Sequence, residues 1–216
     1  MTKPKICAVI TRSDPASIAG ADADLFEVRI DLIGKDWLKL AKALTKPWLA
    51  TNRLKAEGGA WEGSEEARRN ELLKAVKAGA SIIDIELSAP DLDEIVPQIK
   101  KKARCLISRH DNKRTPPPAA LHRIIEDELA AGADICKLVT TARAFEDNIS
   151  LLNLINAFRP HDIVAFAQGP RGQTSRLLCP LAGGAFTYAA LSEEATSASG
   201  QLTISQMRQV YGMMGL

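Results

Sequence analysis

The stretch SEEARRNELLKAVKAGASIIDIEL, residues 64–87, carries two periodicities back to back. Ser64 followed by two acids reads as a helix start, Leu72, Leu73 and Val76 fall on one helical face, and Gly79 reads as the stop. From residue 81 the spacing changes to two: Ile83, Ile85 and Leu87 share one face of a strand, Asp84 and Glu86 the other. The same alternation recurs outward in both directions. Strands are predicted at KICAVIT near residue 5, DLFEVRID ending at Asp31, PWLATNR (47–53), RCLISRH (104–110), DICKLVT (134–140), DIVAFAQ (162–168) and AFTYAAL (185–191), which with SIIDIEL makes eight. Helical stripes stand between them. Asp91 with Glu94 resembles a cap ahead of LDEIVPQIKKK; Leu121, Ile124, Ile125 and Leu129 follow the prolines at 116–118; Leu151, Leu152, Ile155 and Phe158 form another stripe. Eight strands alternating with helices predict an α/β protein, a (β/α)8 TIM barrel occupying residues 1–216 as one domain, with an open doubly wound sheet as the alternative.

Composition removes several classes of function. The 216 residues are 46% hydrophobic and 25% charged, an ordinary globular mixture with material for a sizeable core. With 28 basic and 26 acidic residues the net charge is +2, which leaves no surplus for a nucleic-acid backbone, so any anion must be recognised locally. Cys7, Cys105, Cys136 and Cys179 are widely spaced, which fits neither a zinc site nor a disulfide framework and points to a reducing cytoplasm. The N-terminus lacks a signal-peptide core, and no window reaches the ~18 apolar residues of a membrane span.

Polar residues on the strands point to chemistry. In DLFEVRID, Phe26, Val28 and Ile30 must face the helices, so Glu27, Arg29 and Asp31 face the barrel interior. Asp84 and Glu86 do likewise, Ser108 shares a face with His110, and Lys137 lies among Ile135 and Val139. Buried charges are costly unless paired or working, and the C-terminal ends of barrel strands meet at one mouth. A lysine desolvated inside a barrel near other cations can act as a neutral nucleophile for a ketone or aldehyde, which makes Lys137 a candidate for imine formation. The protonated imine acidifies the neighbouring carbon, His110 can take and return that proton, and an inward carboxylate such as Glu27 can orient the ring. Arg29, Arg53 and Arg176 are candidates for a two-point grip on a substrate carboxylate. Plain ion pairing would account for Glu27 with Arg29 equally well. His122 and His161 read as surface residues, Cys136 as core, and Met207, Met213 and Met214 as helix packing.

In order along the chain, EVRID (27–31), TNR with EGG (51–59), IDIEL, ISRHD, ADICKLV, TSRLLCPLAGGAFTYAAL and SASGQL resemble the motifs of the type I 3-dehydroquinate dehydratases of the shikimate pathway. The resemblance implies a cytoplasmic hydro-lyase that converts 3-dehydroquinate to 3-dehydroshikimate and water through a lysine Schiff base, with no metal and no cofactor. By position it implies that Lys137 forms the imine, that His110 moves the C2 proton and helps expel the C1 hydroxyl, and that Glu27 holds His110. Arg176 would bind the carboxylate, while Arg29, Arg53, Glu57, Ser197 and Gln201 would contact hydroxyls or fix the site. A homodimer is compatible with it; nucleic-acid and membrane partners are not expected. Two departures stand out: Gln168 lies where bacterial members often carry methionine, and Ser199 replaces the lid proline.

Two other functions fit parts of the pattern. A class I aldolase of another barrel family would also need a strand lysine, and the QGPRG and AGGA turns could then serve as phosphate loops. A barrel that only binds or scaffolds is the third reading, disfavoured by the presence of both Lys137 and His110. SEEATSASGQL (192–202) is expected to be a mobile lid, hinged at Gly200, that carries Ser197 and Gln201 onto the substrate.

Overall fold

A computed structural model describes residues 3–216. Each alternating segment becomes a parallel strand: β1 (Ile6–Ile10), β2 (Leu25–Arg29), β3 (Trp48–Thr51), β4 (Ile82–Glu86), β5 (Arg104–His110), β6 (Ile135–Thr141), β7 (Ile163–Gln168) and β8 (Thr187–Ala190). Their order is β7-β6-β5-β4-β3-β2-β1-β8, so the last strand returns to the first, with Tyr188 opposite Cys7. That return makes the sheet a (β/α)8 barrel and excludes the open doubly wound sheet. Closure is incomplete on one side. Between β7 and β8 there is no ladder among the described residues, only a donation from the Ala185 N–H to the Ile163 carbonyl at 2.8 Å.

The helices are α1 (Pro15–Ile18), α2 (Ile30–Ile33), α3 (Trp37–Lys42), α4 (Glu65–Lys77), α5 (Leu92–Ile99), α6 (Pro118–Ala130), α7 (Glu146–Ala157), α8 (Gln173–Leu178) and α9 (Ile204–Met213). Ser64 caps α4 by accepting the Ala67 N–H at 3.2 Å, and Leu72, Ala75 and Val76 are its buried face. Burying Leu72 alone stabilises the fold by about 1.5–3 kcal/mol. Two expectations need correction and one an addition. Asp91 does not cap α5: its backbone is left-handed at φ 55°, and Asp91 and Glu94 pair with Arg69 of α4 at 3.0 and 3.3 Å, since a neighbouring guanidinium competes for the carboxylates. In α6 the stripe Leu121, Ile124, Ile125 and Leu129 packs on the core, but a charged residue joins it: Glu128 is fully buried, because an α-helix returns to the same face seven residues after Leu121. On α9, Met207 is buried but Met213 and Met214 lie 74% and 49% exposed at the frayed end.

The core forms two shells. Alternate strand residues such as Ile83, Ile85 and Ile107 pack outward against the helices. Inside the barrel, Cys7, Leu25, Leu49, Ile82, Leu106 and Ile135 fill the N-terminal half, an apolar plug beneath whatever the C-terminal half holds.

Candidate active site

Above that plug the inward positions become polar. Glu27 and Arg29 come from β2, Thr51 from β3 and Arg53 from the turn after it, Asp84 and Glu86 from β4, Ser108 and His110 from β5, and Lys137 from β6. A single pocket at the mouth is lined by Glu27, Arg29, Arg53, Glu57, His110, Lys137, Arg176, Ser197 and Gln201, together with Phe166, Gln168 and Tyr188. All nine residues named for catalysis or substrate binding therefore line one cavity, while Asp84, Glu86 and Ser108 lie beneath it among the described contacts. Strand periodicity accounts for Glu27, Arg29, His110 and Lys137, because the wet end of a parallel barrel is where a charged inward side chain costs least; the other five come from turns, a helix and the segment after β8.

Asp84 is the hub, a role that sequence reading did not give it. Its carboxylate accepts from Arg53 Nη2 at 2.6 Å, Ser108 Oγ at 2.6 Å and Lys137 Nζ at 2.8 Å. Burial alone would raise its pKa, but Arg53 and Lys137 reverse the sign and hold it far below the usual carboxylate range. Glu86 takes Arg53 Nη1 at 2.9 Å and Arg68 Nη1 at 2.5 Å, the latter a fully buried arginine that α4 sends in from outside the barrel. Lys137 is 4% exposed, and Glu27 lies 3.8 Å from its nitrogen while accepting from Thr51 Oγ1 at 2.8 Å.

The expectation that Glu27 orients His110 is corrected. Glu57 does so: its Oε2 lies 3.0 Å from both the backbone N and Nδ1 of His110, and Ser88 Oγ donates to its other oxygen at 2.8 Å. Glu57 sits on a short helical turn after β3, beyond the reach of period-two reasoning, whereas Glu27 is committed to Thr51 and Lys137. Burial raises the Glu57 pKa against the pull of Arg53. With its carboxylate accepting at Nδ1, His110 keeps Nε2 as the basic nitrogen. Burial, aided by Arg53 and Lys137, lowers the His110 pKa well below its ordinary value, so the ring is neutral at pH 7 and able to accept a proton.

The three arginines divide sharply. Arg29 is held two-pronged by Asp31 at 2.9 and 2.7 Å; Asp31 itself belongs to α2 and not to the strand, having left the expected DLFEVRID run at Ile30. Arg53 is spent on Asp84 and Glu86. Arg176, 2% exposed on α8, has no carboxylate partner among the described residues; its Nε and Nη2 meet no acceptor there, and its guanidinium lies 4.2 Å from the centre of the Phe166 ring. Burial without an anion lowers its pKa to about 10. An unpaired buried guanidinium is a site for an incoming anion, and its fork suits a carboxylate.

Ser197 and Gln201 reach the pocket from the segment after β8. Gln201 Oε1 accepts from the Ser197 N–H at 2.8 Å and Oγ at 3.1 Å, and the segment is tied to the opposite rim where the Gly169 N–H donates to the Ser199 carbonyl at 2.9 Å. Gly200 has φ +74°, and a Cβ there would overlap the Gly169 carbonyl, so glycine is needed for the approach rather than only for hinging. Gln168 Nε2 bridges to Asn112 Oδ1 at 2.8 Å and Thr141 Oγ1 at 3.2 Å. Neither glycine turn is a free phosphate loop: the Gly169 and Gly172 N–H groups donate to Ser199 and Gly169, and the Gly183 and Gly184 N–H groups to Pro180 and Cys179. Among the described residues no group of three or more His, Cys, Asp and Glu side chains is placed to hold a metal, and no helix is long and apolar enough to cross a membrane.

A (β/α)8 barrel with a buried lysine, a neutral histidine and an unpaired arginine around one pocket defines a class of protein: a barrel equipped for imine chemistry on a carboxylate. Comparison with known proteins narrows it. The sequence pattern of the Type I 3-dehydroquinase family matches residues 8–216, and the chain belongs to that family. A 3-dehydroquinate dehydratase of Dehalococcoides mccartyi is 46% identical over 98% of this chain and 96% of its own, and one of Methanosarcina mazei is 33% identical over 89% and 86%. Among solved structures, the type I 3-dehydroquinate dehydratase of Clostridium difficile, covalently modified by comenic acid, superimposes with a TM-score of 0.89 at 25% identity, covering 99% of this chain and 93% of that one. A putative deoxyribose-phosphate aldolase of Toxoplasma gondii, at 16% identity and a TM-score of 0.55, shares the fold alone.

Proposed function

We propose that Lys137, His110, Glu57 and Arg176 carry out the family reaction, the dehydration of 3-dehydroquinate to 3-dehydroshikimate, with residues 1–216 acting as one catalytic domain. The chain is a hydro-lyase of the Schiff-base type. The observation that carries the assignment is the sharing of one pocket by Lys137, held at 2.8 Å by Asp84, and an Arg176 guanidinium without a protein anion. The substrate has a ketone and a carboxylate, and these are the two partners the pocket lacks. Arg176 takes the carboxylate, and Lys137 attacks the C3 ketone and loses water to give the protonated imine. Nε2 of His110 removes the C2 proton; the resulting enamine expels the C1 hydroxyl, which leaves as water with the proton returned by His110. Glu57 pairs with the imidazolium that exists between those steps. Glu27, beside Lys137, helps hold the nitrogen in place, and Arg29, Arg53, Ser197 and Gln201 meet substrate hydroxyls or fix the walls.

The phosphosugar aldolase reading is weakened because both glycine turns have already spent their donors. Four buried, unpaired thiols suit a cytoplasmic setting. A homodimer belongs to the same proposal; Phe145 and Ile149, exposed and four residues apart, are apolar surface that a second copy would cover.

Borohydride reduction in the presence of 3-dehydroshikimate tests the assignment. One ligand mass should appear on the peptide containing Lys137, and Lys137→Ala should remove both the mass and turnover while staying folded. Addition at another residue, or turnover by Lys137→Ala, would overturn it.

A further inference from the structure

Tyr188, on β8, is 3% exposed, and its phenol oxygen meets no hydrogen-bond partner. A buried hydroxyl without a protein partner costs stability, and every contact recorded for this side chain is made by the ring. The ring packs edge-on to Phe186 with centroids 5.5 Å apart and tilted to Phe166 at 6.0 Å, which fixes its orientation. Its face is turned to the reacting nitrogen: Lys137 Nζ lies 4.4 Å from the ring centroid.

The chemistry of Lys137 makes that contact more than packing. As an ammonium, Nζ has three N–H donors and uses one on Asp84. Imine formation follows R–NH3+ plus O=C giving R–NH+=C plus H2O: a C–N double bond replaces the carbonyl, and oxygen leaves with two of the nitrogen's protons. The nitrogen keeps its positive charge but only one N–H. Donor capacity beyond the Asp84 hydrogen bond is therefore lost as the intermediate forms. Attraction to the negative face of an aromatic ring depends on charge and distance and not on the number of N–H groups, so it survives the step, and it is strongest where water is excluded.

Resting on the Lys137 imine, we propose that the Tyr188 ring is the partner that stabilises the cationic imine nitrogen, and that its hydroxyl is dispensable. The test is a series at position 188: Tyr188→Phe, then phenylalanines with one, two and three ring fluorines, which keep the shape while draining the negative face, and Tyr188→Leu. The apparent constant for imine formation is read from borohydride-trapped mass at Lys137 as 3-dehydroshikimate is titrated. In parallel, affinity is measured for a cyclohexane polyol carboxylate that has no ketone and so engages Arg176 without forming an imine. Tyr188→Phe should match the parent within about twofold. Across the fluorinated series the imine constant should fall log-linearly by about tenfold, with affinity for the ketone-free ligand unchanged. A flat series, a large loss in Tyr188→Phe, or a parallel fall for the ketone-free ligand would overturn the ring's role while leaving the Lys137 imine standing. Absence of trapping at Lys137 in the parent protein would instead remove the imine itself.

Discussion

The two sides of the barrel mouth solve the problem of buried charge in opposite ways. From β2 to β5, Arg29, Arg53 and Arg68 each face carboxylates of Asp31, Asp84 and Glu86 at 2.5–2.9 Å. At the β7–β8 seam, where the strands form no ladder among the described residues, Arg176 has no carboxylate and rests on Phe166, while Lys137 leans toward Tyr188. Charges on the first side are satisfied before any ligand arrives, so that side is scaffold and holds Lys137 in register through Asp84. On the second side the Arg176 charge is left to be satisfied by the substrate. A cation supported by aromatic rings keeps its attraction for an anion, whereas one already gripped by two carboxylates must first release them.

The comparison is broken or sharpened by four changes. Asp84→Asn removes one partner from a buried network and leaves Arg53 and Lys137 short of a counter-charge; it should cost about 3–5 kcal/mol of stability, read by chemical denaturation. A loss below 1 kcal/mol would mean that the paired side is not scaffold. Arg176→Met should do the reverse, keeping or raising the stability of the ligand-free protein while weakening substrate binding at least ~30-fold, since truncating one member of a buried charge pair costs about 2–5 kcal/mol. Destabilisation as large as that of Asp84→Asn, with binding intact, would place Arg176 in the scaffold.

Titration gives a smaller effect. The folded protein depresses the His110 pKa below that of the unfolded chain, so below pH 6.5 the unfolded chain takes up a proton that the folded one refuses. Stability should therefore fall with acid, by up to about 1.4 kcal/mol per pH unit from this group, with the loss absent above pH 6.5. His110→Gln should flatten that slope; an identical pH profile in the variant would assign the slope elsewhere. Smallest is the effect of the segment after β8. Gln201→Ala should weaken substrate binding by about tenfold or less, the loss of one or two hydrogen bonds, with trapping at Lys137 retained. Amides from 195 to 201 should gain hydrogen-exchange protection on ligand binding, and unchanged exchange at saturation would return the segment to an ordinary loop.

How far the site was legible follows from what strand periodicity can say. Glu27, Arg29, Asp84, Glu86, His110 and Lys137 lie on strands, where a period of two dictates which face a side chain takes, so the inward face of all six is legible from spacing. Glu57 was seen only through a family likeness, and its pairing with His110 went to Glu27 instead, because a residue on a turn has no periodicity from which to read direction. Arg68 and Glu128, on helices and absent from the apolar stripes, are fully buried; α4 delivers Arg68 to Glu86 from outside the barrel, and burial leaves Glu128 with its pKa well above the carboxylate range.

The sequence by itself determined the alternation of strands and helices, the inward set of charges and the presence of a lysine among apolar neighbours, because these follow from local backbone geometry and from the cost of exposing apolar faces. Only the tertiary structure decided which charges cancel. Asp84 became the hub, Glu57 rather than Glu27 took His110, and Arg176 rather than Arg29 or Arg53 was left unpaired. The physical reason is range: a side chain's face is fixed by its own strand, whereas pairing depends on distances of a few ångströms between residues far apart in the chain, 53 positions for Asp84 and Lys137, which the closing of the barrel alone sets.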